Sequence, residues 1–600
     1  MKKKVSDIIA DFLVEHGVKD MFSVTGGGAM HLNDSFGHHP KLRVIYNHHE
    51  QACAIACEGY VRTSGNPCAI CVTSGPGGTN AITGVMGSWL DSIPIFVFSG
   101  QVKYSTTIKS CPNLKLRQLG DQEFNIVDAV ACMTKYAFMI VEPNEILYHL
   151  QKAWYLMQEG RPGPVWLDIP LNVQAAVVET DGLKEYFPDE TDGLKYDKFS
   201  VKDRAELLDE IKKAKRPVIM AGTAIDNTGY VRQFRKFAER LNIPVVTTWN
   251  AHDIMPDAHP LYCGRPGIMG TRGGNFVVQD SDLLLVIGSQ LSIRQVSYNW
   301  ENFAKNAKVI YVNFDADEYK KPTIHVGKSY VCDLRELIDV CLEDENFYDD
   351  NHREWLKFAK ELNARYPANK GNYPKKNGLI NPYEFFDRFS RTVEDDTAII
   401  CANGSACVIT FQAWCFKENQ RLFHNSGCAS MGYGLPAAIG AAVSKAYDKV
   451  ICLEGDGSLQ MNIQELATMH YNQLNIKMVY LNNSGYHSIR QTQSNIFKGR
   501  ELCGIDAECG IEFPDMELIA KAYKIPYMKL DNPDDIENMA KRFFSEKGNV
   551  ILEVMLDKTQ YFEPKLSSKI LPDGTMVSPS LEDMYPFLPE EELQRCIIKC

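Results

Sequence analysis

Asp456 in LEGDGS and Asn483 in LNNSGY are a carboxylate and an amide that each follow an apolar run and sit in a tight turn. Hard oxygen donors of this kind suit Mg²⁺ or Ca²⁺ and leave coordination positions for phosphate oxygens. Residues 450–453 read as a buried parallel strand, Gly455 and Gly457 let the backbone turn, and 464–471 reads as the helix that follows. Asp456 then falls at the carboxyl end of a strand, where open α/β sheets bind ligands. A second apolar strand, 476–481, delivers Asn482 and Asn483 to the neighbouring strand end. Taken singly, GDG is only a turn and NN only a strand terminator. At this spacing the two converge on one cation.

A second carboxyl group lies far upstream. In YNHHEQACAIACEGYVRTSG, Glu50 heads an Ala-rich helix just after the apolar strand 43–46. An acidic residue there also serves the helix dipole and by itself carries no chemistry. Two further strand–turn–helix signals surround it, SVTGGGAMHLND at 23–34 and VTSGPGGTN at 72–80.

The 453–486 run resembles the thiamine diphosphate (ThDP) signature of the family that includes acetolactate synthase, pyruvate oxidase and the 2-hydroxyacyl lyases. The resemblance implies that Asp456, Asn483 and the backbone carbonyl of Gly485 are ligands of a Mg²⁺ that bridges to the diphosphate. It places Gly455, Gly457, Ser458 and Tyr486 around the diphosphate at the helix start. The HEQ segment is similar to one whose glutamate hydrogen-bonds N1′ of the aminopyrimidine, so Glu50 becomes the proton donor that promotes deprotonation of the thiazolium. Gly26, Gly75, Pro76, Gly77 and Asn80 take the remaining cofactor positions of the amino-terminal part, with Thr25 where many relatives have proline. Met431, in SGCASMGYGLPAAIGAA, stands where the family puts an apolar wedge under the cofactor, Gln122 keeps a family glutamine, and His49 lies beside Glu50 on the substrate side.

Positioning these groups takes several layers. Apolar strand cores at 93–98, 165–169, 217–221, 283–287, 309–314 and 398–401 alternate with helices, which predicts an α/β chain of three doubly wound parallel sheets. Polar intervals at 178–200 and 343–378 read as linkers. The expected division is a pyrimidine-binding domain at 1–177, a middle domain at 200–342, a diphosphate-binding domain at 378–563 and an irregular tail at 564–600. Because Glu50 and Asp456 fall in different domains, the resemblance implies a site between two subunits of a homodimer or homotetramer. The middle domain, with GIMGTRGGNFVVQDSDLLLVIGSQLSIRQ at 267–295, resembles the part that binds FAD in acetolactate synthases, although Met269 replaces a histidine of that turn. A parallel sheet with glycine-rich turns serves equally in a nucleotide-free domain, and both readings stand.

Composition sets outer bounds. At 600 residues with 45% hydrophobic content the chain can bury several cores, and a net charge of −12 speaks against a broad nucleic-acid surface. VSDIIADFLVEHGV is an amphipathic helix rather than a signal peptide, and no segment reaches the length of a membrane span. The 18 cysteines lie mostly in apolar surroundings. Cys68 and Cys71 read as small buried hydrophobes, Cys596 and Cys600 as more exposed, and the set fits a reducing cytoplasm.

Departures from the acetolactate synthase pattern fall where an acceptor would sit. Thr492 stands where a tryptophan usually narrows the pocket and Leu171 where a lysine is usual, while Arg294 keeps an arginine of the substrate side. NNSGYHSIRQTQ and SPSLEDMYPFLPEEE resemble ThDP enzymes of unusual bacterial sugars, which add the two-carbon unit of pyruvate to a nucleotide-linked keto-sugar. On that reading Arg490 holds an anionic group of donor or acceptor. The expected activity is decarboxylation of a 2-oxo acid and transfer to a carbonyl acceptor. The alternatives are acetolactate synthesis, plain decarboxylation or oxidation, and a non-catalytic scaffold, which would be expected to lack Glu50 or the metal ligands.

Overall fold

The structure is a computed structural model that describes residues 1–189, 196–376, 378–497, 499–570 and 573–598. Its strands are short apolar runs such as AICV, LLLVI and VILEVM, buried on both faces. Such runs belong in parallel sheets covered by helices on both sides.

Three parallel sheets result. The first has the spatial order Arg43–Tyr46, Asp20–Ser23, Ala69–Val72, Phe96–Gln101, Val165–Pro170, Tyr136–Met139. The third runs Arg421–Phe423, Thr397–Cys401, Lys449–Gly455, Ile476–Asn482, Val550–Met555, Tyr527–Leu530. If the strands of each sheet are numbered in chain order, both read 2-1-3-4-6-5. The middle sheet has five strands, Val245–Thr247, Pro217–Ala221, Leu283–Ile287, Lys308–Val312 and Lys328–Tyr330. In every case the chain reverses its direction of travel between strands 1 and 3, which opens a crevice at their carboxyl ends.

The first and third sheets are joined through equivalent helices, Glu50–Ser64 and Gly434–Ser444, each of which follows strand 2 of its sheet. Their backbones touch: a Cβ on Gly59 would lie 2.3 Å from Ala437 O, and one on Gly440 would lie 1.8 Å from Ala56 O. Side chains complete the junction, with Asn47 Nδ2 donating to Glu465 at 2.9 Å and Asn462 Nδ2 to Gln51 at 3.3 Å.

Two expectations about the connections change. The interval 343–378 is not a plain linker, because it holds the helix Arg353–Arg365. Trp355, Ala359 and Leu362 are buried at helical spacing there, against the helix Arg272–Gln279. Of the interval 178–200, residues 190–195 lie outside the described residues. The segment after 564 is also more ordered than an irregular tail. Asn275 Nδ2 donates to Leu581 O at 2.9 Å, Arg272 to Pro586 O at 2.6 Å and Gln279 to Glu582 at 2.8 Å, and the helix Glu590–Cys596 follows. Cys596 is therefore fully buried rather than exposed, and Cys600 lies outside the described residues. Among the described residues, no helix is long and apolar enough to cross a membrane.

Candidate active site

Strand Lys449–Gly455 ends in the one-turn helix Asp456–Leu459, which buries Asp456. Three backbone N–H groups fix its carboxylate: Gly457 on Oδ1 at 2.7 Å, and Asn483 and Gly485 on Oδ2 at 3.1 and 2.9 Å. Burial nevertheless pushes Asp456 up to about 6, against the pull of those N–H groups. The neighbouring strand Ile476–Asn482 delivers Asn483, whose Nδ2 donates to Ser405 Oγ at 3.3 Å. Its Oδ1 is buried and has no hydrogen-bond partner. A buried acceptor left in this state costs about 1–3 kcal/mol. An oxygen-seeking cation beside Asp456 satisfies it, so the donor set fits Mg²⁺.

Two glycines of this site are required by close approach. A Cβ on Gly457 would lie 2.2 Å from the Tyr486 ring, and Gly485, at φ 121°, brings its own Cβ position within 2.1 Å of Ile505 O. The Ser458 hydroxyl accepts from Gly432 N at 2.9 Å, so it ties the Met431 loop to the Asp456 turn. That loop is shaped by Asn403 Nδ2 donating to Ala429 O at 2.6 Å and by Asn425 Nδ2 donating to Ser430 at 2.7 Å.

The first sheet gathers the other group of residues. Gly26 follows strand Asp20–Ser23, Gly75 and Pro76 follow Ala69–Val72, and Thr73 stands between them. Gly28 N donates to Thr73 Oγ1 at 3.0 Å, and a Cβ on Gly26 would lie 2.4 Å from Thr73. Glu50 is nearly buried, accepts from Asn80 Nδ2 at 3.0 Å, and lies 3.7 Å from where a Cβ on Gly77 would be. Gln122 crosses the same turn with φ 58°, and its carbonyl leaves no room for a side chain on Gly75. His49 does less than expected. Its Nδ1 accepts from Gln51 N at 3.2 Å, which makes it the cap of the Glu50 helix.

The substrate-side residues divide. Met269, Arg294 and Thr492 line one cavity of about 320 Å³, next to the turn at Asn403 and Gly404. Arg490 does not join them. It is buried and donates to Asn483 O at 3.2 Å, Ser484 O at 2.6 Å and Asp506 at 3.1 Å. Its terminal nitrogens thus brace the loop at Asn483 and Ser484, while its buried Nε has no hydrogen-bond partner. Leu171 starts the helix Leu171–Gln174 on the first sheet, away from this cavity. Sequence reasoning missed Ser405 and Arg490 as supports of the loop; the Gly404 turn at φ 65°, after an apolar strand, was the available signal for the first.

Three family models match the chain in the order of its sheets. They are the N-terminal TPP binding domain of thiamine pyrophosphate enzymes at 3–126, the central domain at 204–340 and the C-terminal TPP binding domain at 402–554. Fold and matches together define a ThDP-dependent enzyme. The acetolactate synthase large subunit of Lactococcus lactis is 31% identical over 95% of both chains. The isozyme 1 large subunit of Escherichia coli is 30% identical over 93% of this chain and 95% of its own. A chloroplastic acetolactate synthase of Nicotiana tabacum is 27% identical over 94% of this chain and 84% of its own. The chain belongs to the acetolactate synthase-like family of thiamine pyrophosphate enzymes.

Proposed function

We propose that the protein is a Mg²⁺- and ThDP-dependent carboligase that decarboxylates pyruvate and transfers the two-carbon unit to a carbonyl acceptor, of which a nucleotide-linked keto-sugar is the leading class. The observation that carries the metal assignment is the orphaned Oδ1 of Asn483 beside the pinned carboxylate of Asp456. When bound, ThDP supplies the electron sink that no side chain provides. Asp456, Asn483 and the Gly485 carbonyl hold the cation. Glu50, kept in orientation by Asn80, holds and donates a proton at the pyrimidine N1′. Met431 supports the cofactor from below. Arg294 binds a carboxylate or phosphate in the cavity that it shares with Thr492.

The assembly that the family resemblance implies is a homodimer, or a tetramer built from dimers, in which Glu50 of one copy faces Asp456 of another. Leu114, Leu116, Leu119 and Phe124, exposed around Gln122, give that contact an apolar surface. FAD would take the crevice of about 460 Å³ at the carboxyl ends of the middle strands, near Gly288 and Asn313. The free and mostly buried cysteines suit the cytoplasm.

The acceptor follows from Thr492. A small residue in place of a tryptophan widens the cavity, which favours a bulky ketone over a second pyruvate. Acetolactate formation is the second reading, favoured by the names of the similar enzymes. Mass analysis of products from pyruvate alone, and then with keto-sugar nucleotides, decides between them. Acetolactate formed at about 10 s⁻¹, an ordinary turnover, with no competition from any ketone, would replace the sugar reading.

A further inference from the structure

The cavity shared by Arg294 and Thr492 has a second cation that the proposed function does not use. Lys565, brought in by the segment that follows the third sheet, lines it and is nine-tenths buried. Its backbone is fixed by exchange with Tyr585, at 2.9 and 2.7 Å. The next residue, Leu566, donates its N–H to Ile268 O at 2.8 Å, beside Met269. Lys565 is thus held by backbone on both sides, and its place in the cavity is a product of the fold rather than of a loose side chain.

The charge balance of the cavity is unusual. Among the described residues, none of those lining it is Asp or Glu, and neither Arg294 nor Lys565 has an ion-pair partner. The nearest acid in sequence, Glu563, is paired with Lys370 at 2.9 Å. Arg294 stacks over Trp249, 5.2 Å from the ring centroid. Gln491 adds a neutral donor. Its Oε1 accepts from Phe562 N at 3.1 Å, which leaves Nε2 buried and without a partner. Lys565 is buried, with Glu563 as the acid that acts on it, while Arg294 is only partly buried, and a cavity wall that carries two cations and no acid favours an anionic ligand. One carboxylate neutralises one of them. A phosphate group at neutral pH carries close to two charges and at least three acceptor oxygens, which matches two cations and an orphan amide.

Resting on the carboligase reading, we infer that Arg294, Lys565 and Gln491 form a phosphate subsite and that the acceptor is a phosphorylated carbonyl compound. The site is separate from the diphosphate position at Asp456, which is served by a metal and backbone N–H groups. Burial lowers the basicity of Lys565, and a bound dianion reverses that shift.

The test uses holoenzyme loaded with Mg²⁺ and ThDP, titrated calorimetrically with inorganic phosphate and, as a control, with acetate. Wild type is expected to bind phosphate in preference to acetate, Lys565→Gln to bind phosphate roughly 10- to 100-fold more weakly, and Lys565→Arg to keep most of the affinity. ThDP affinity should stay the same in all three. A second arm compares glyceraldehyde 3-phosphate with glyceraldehyde as acceptors of the pyruvate-derived unit, where Lys565→Gln should raise KM for the phosphorylated substrate alone. Equal phosphate affinity in wild type and Lys565→Gln, or a parallel loss of ThDP affinity, overturns the subsite. Should Lys565→Gln fail to fold, Gln491→Leu must weaken phosphate in its place, and no effect from it is equally decisive against the proposal. Holoenzyme that consumes no pyruvate with any acceptor defeats the carboligase reading instead, and the phosphate titration then judges the subsite alone.

Discussion

The first and third sheets have the same strand order and the same crevice, yet one presents a carboxyl group beside an amide and the other a carboxylate beside an orphan oxygen. The likeness extends to detail. Strands Val165–Pro170 and Val550–Met555 each carry a buried acid at their fourth position, Asp168 and Glu553. Asp168 is bound by Ser99 and Gln101, Glu553 by Asn482 and Tyr527. Topology therefore provides the place, and the residues of the turns decide which groups it presents; on the proposed function one handles a proton and the other a cation. In the first sheet those turns are closed by Thr73 and Gln122; in the third, among the described residues, Asn425, Glu454 and Asn483 each keep a buried oxygen without a partner.

The sharpest way to break the comparison is to remove the cation half. Asp456→Ala should abolish Mg²⁺-dependent ThDP retention, a larger loss than the roughly 10–100-fold typical of an outer-shell partner. Calorimetry with and without EDTA reads it, and tight binding in EDTA would show that the third crevice needs no metal. Glu50→Gln comes next. It should keep ThDP affinity while turnover falls by about two to four orders of magnitude, as for loss of a general acid. Exchange of the thiazolium C2 proton, followed by NMR, must slow in parallel; an unchanged rate reduces Glu50 to a helix-start residue.

Smaller effects probe the scaffold. Gly26→Ala puts a methyl group 2.4 Å from Thr73 and should cost about 1–3 kcal/mol of stability, as overpacking does. Thr73→Gly in the same chain removes the Cβ that the new methyl meets, so in urea unfolding the double variant should lose less than the sum of the two single losses, and additive losses would mean that the two do not touch. The smallest effect is one of pH. Burial raises Asp168 to about 7, against the hydrogen bonds from Ser99 and Gln101. A carboxyl whose folded pKa lies above its unfolded value favours the folded state most below pH 4, and that advantage is lost as pH rises toward 7. Urea midpoints taken between pH 4 and 8 should fall less steeply for Asp168→Asn than for wild type; identical slopes remove Asp168 from the balance.

Much of this was legible in the sequence because the signals are local. GDG, NN, HEQ and GPGG each lie within a few residues of an apolar strand, and the turns fall where those strands end. The parallel sheets were readable from runs buried on both faces. What escaped depends on distance along the chain. Nothing near Lys565 announces that it meets Arg294, and nothing in SGYHSIRQ says that Arg490 will be spent on the carbonyls of its own loop. The helix Arg353–Arg365 was missed for a different reason, since its many charged residues masked the spacing of Trp355, Ala359 and Leu362. The contact of the Ser458 hydroxyl with Gly432 N likewise depends on a loop 26 residues upstream and has no local signal.

The anchoring of 565–596 on the helix Arg272–Gln279 gives synthesis of this protein a definite order. Every strand of the three sheets has been synthesised before Lys565 and the residues that anchor it, since the last strand of the third sheet ends at Met555. At about 5–20 residues per second the remaining 41 residues to Cys596 take roughly 2–8 s. During that interval the strands of both crevices are complete in sequence while the cavity still lacks a wall. A nascent or clipped chain that stops in this stretch therefore has the Asp456 turn and Glu50 but an open chamber, which water enters as easily as any acceptor does.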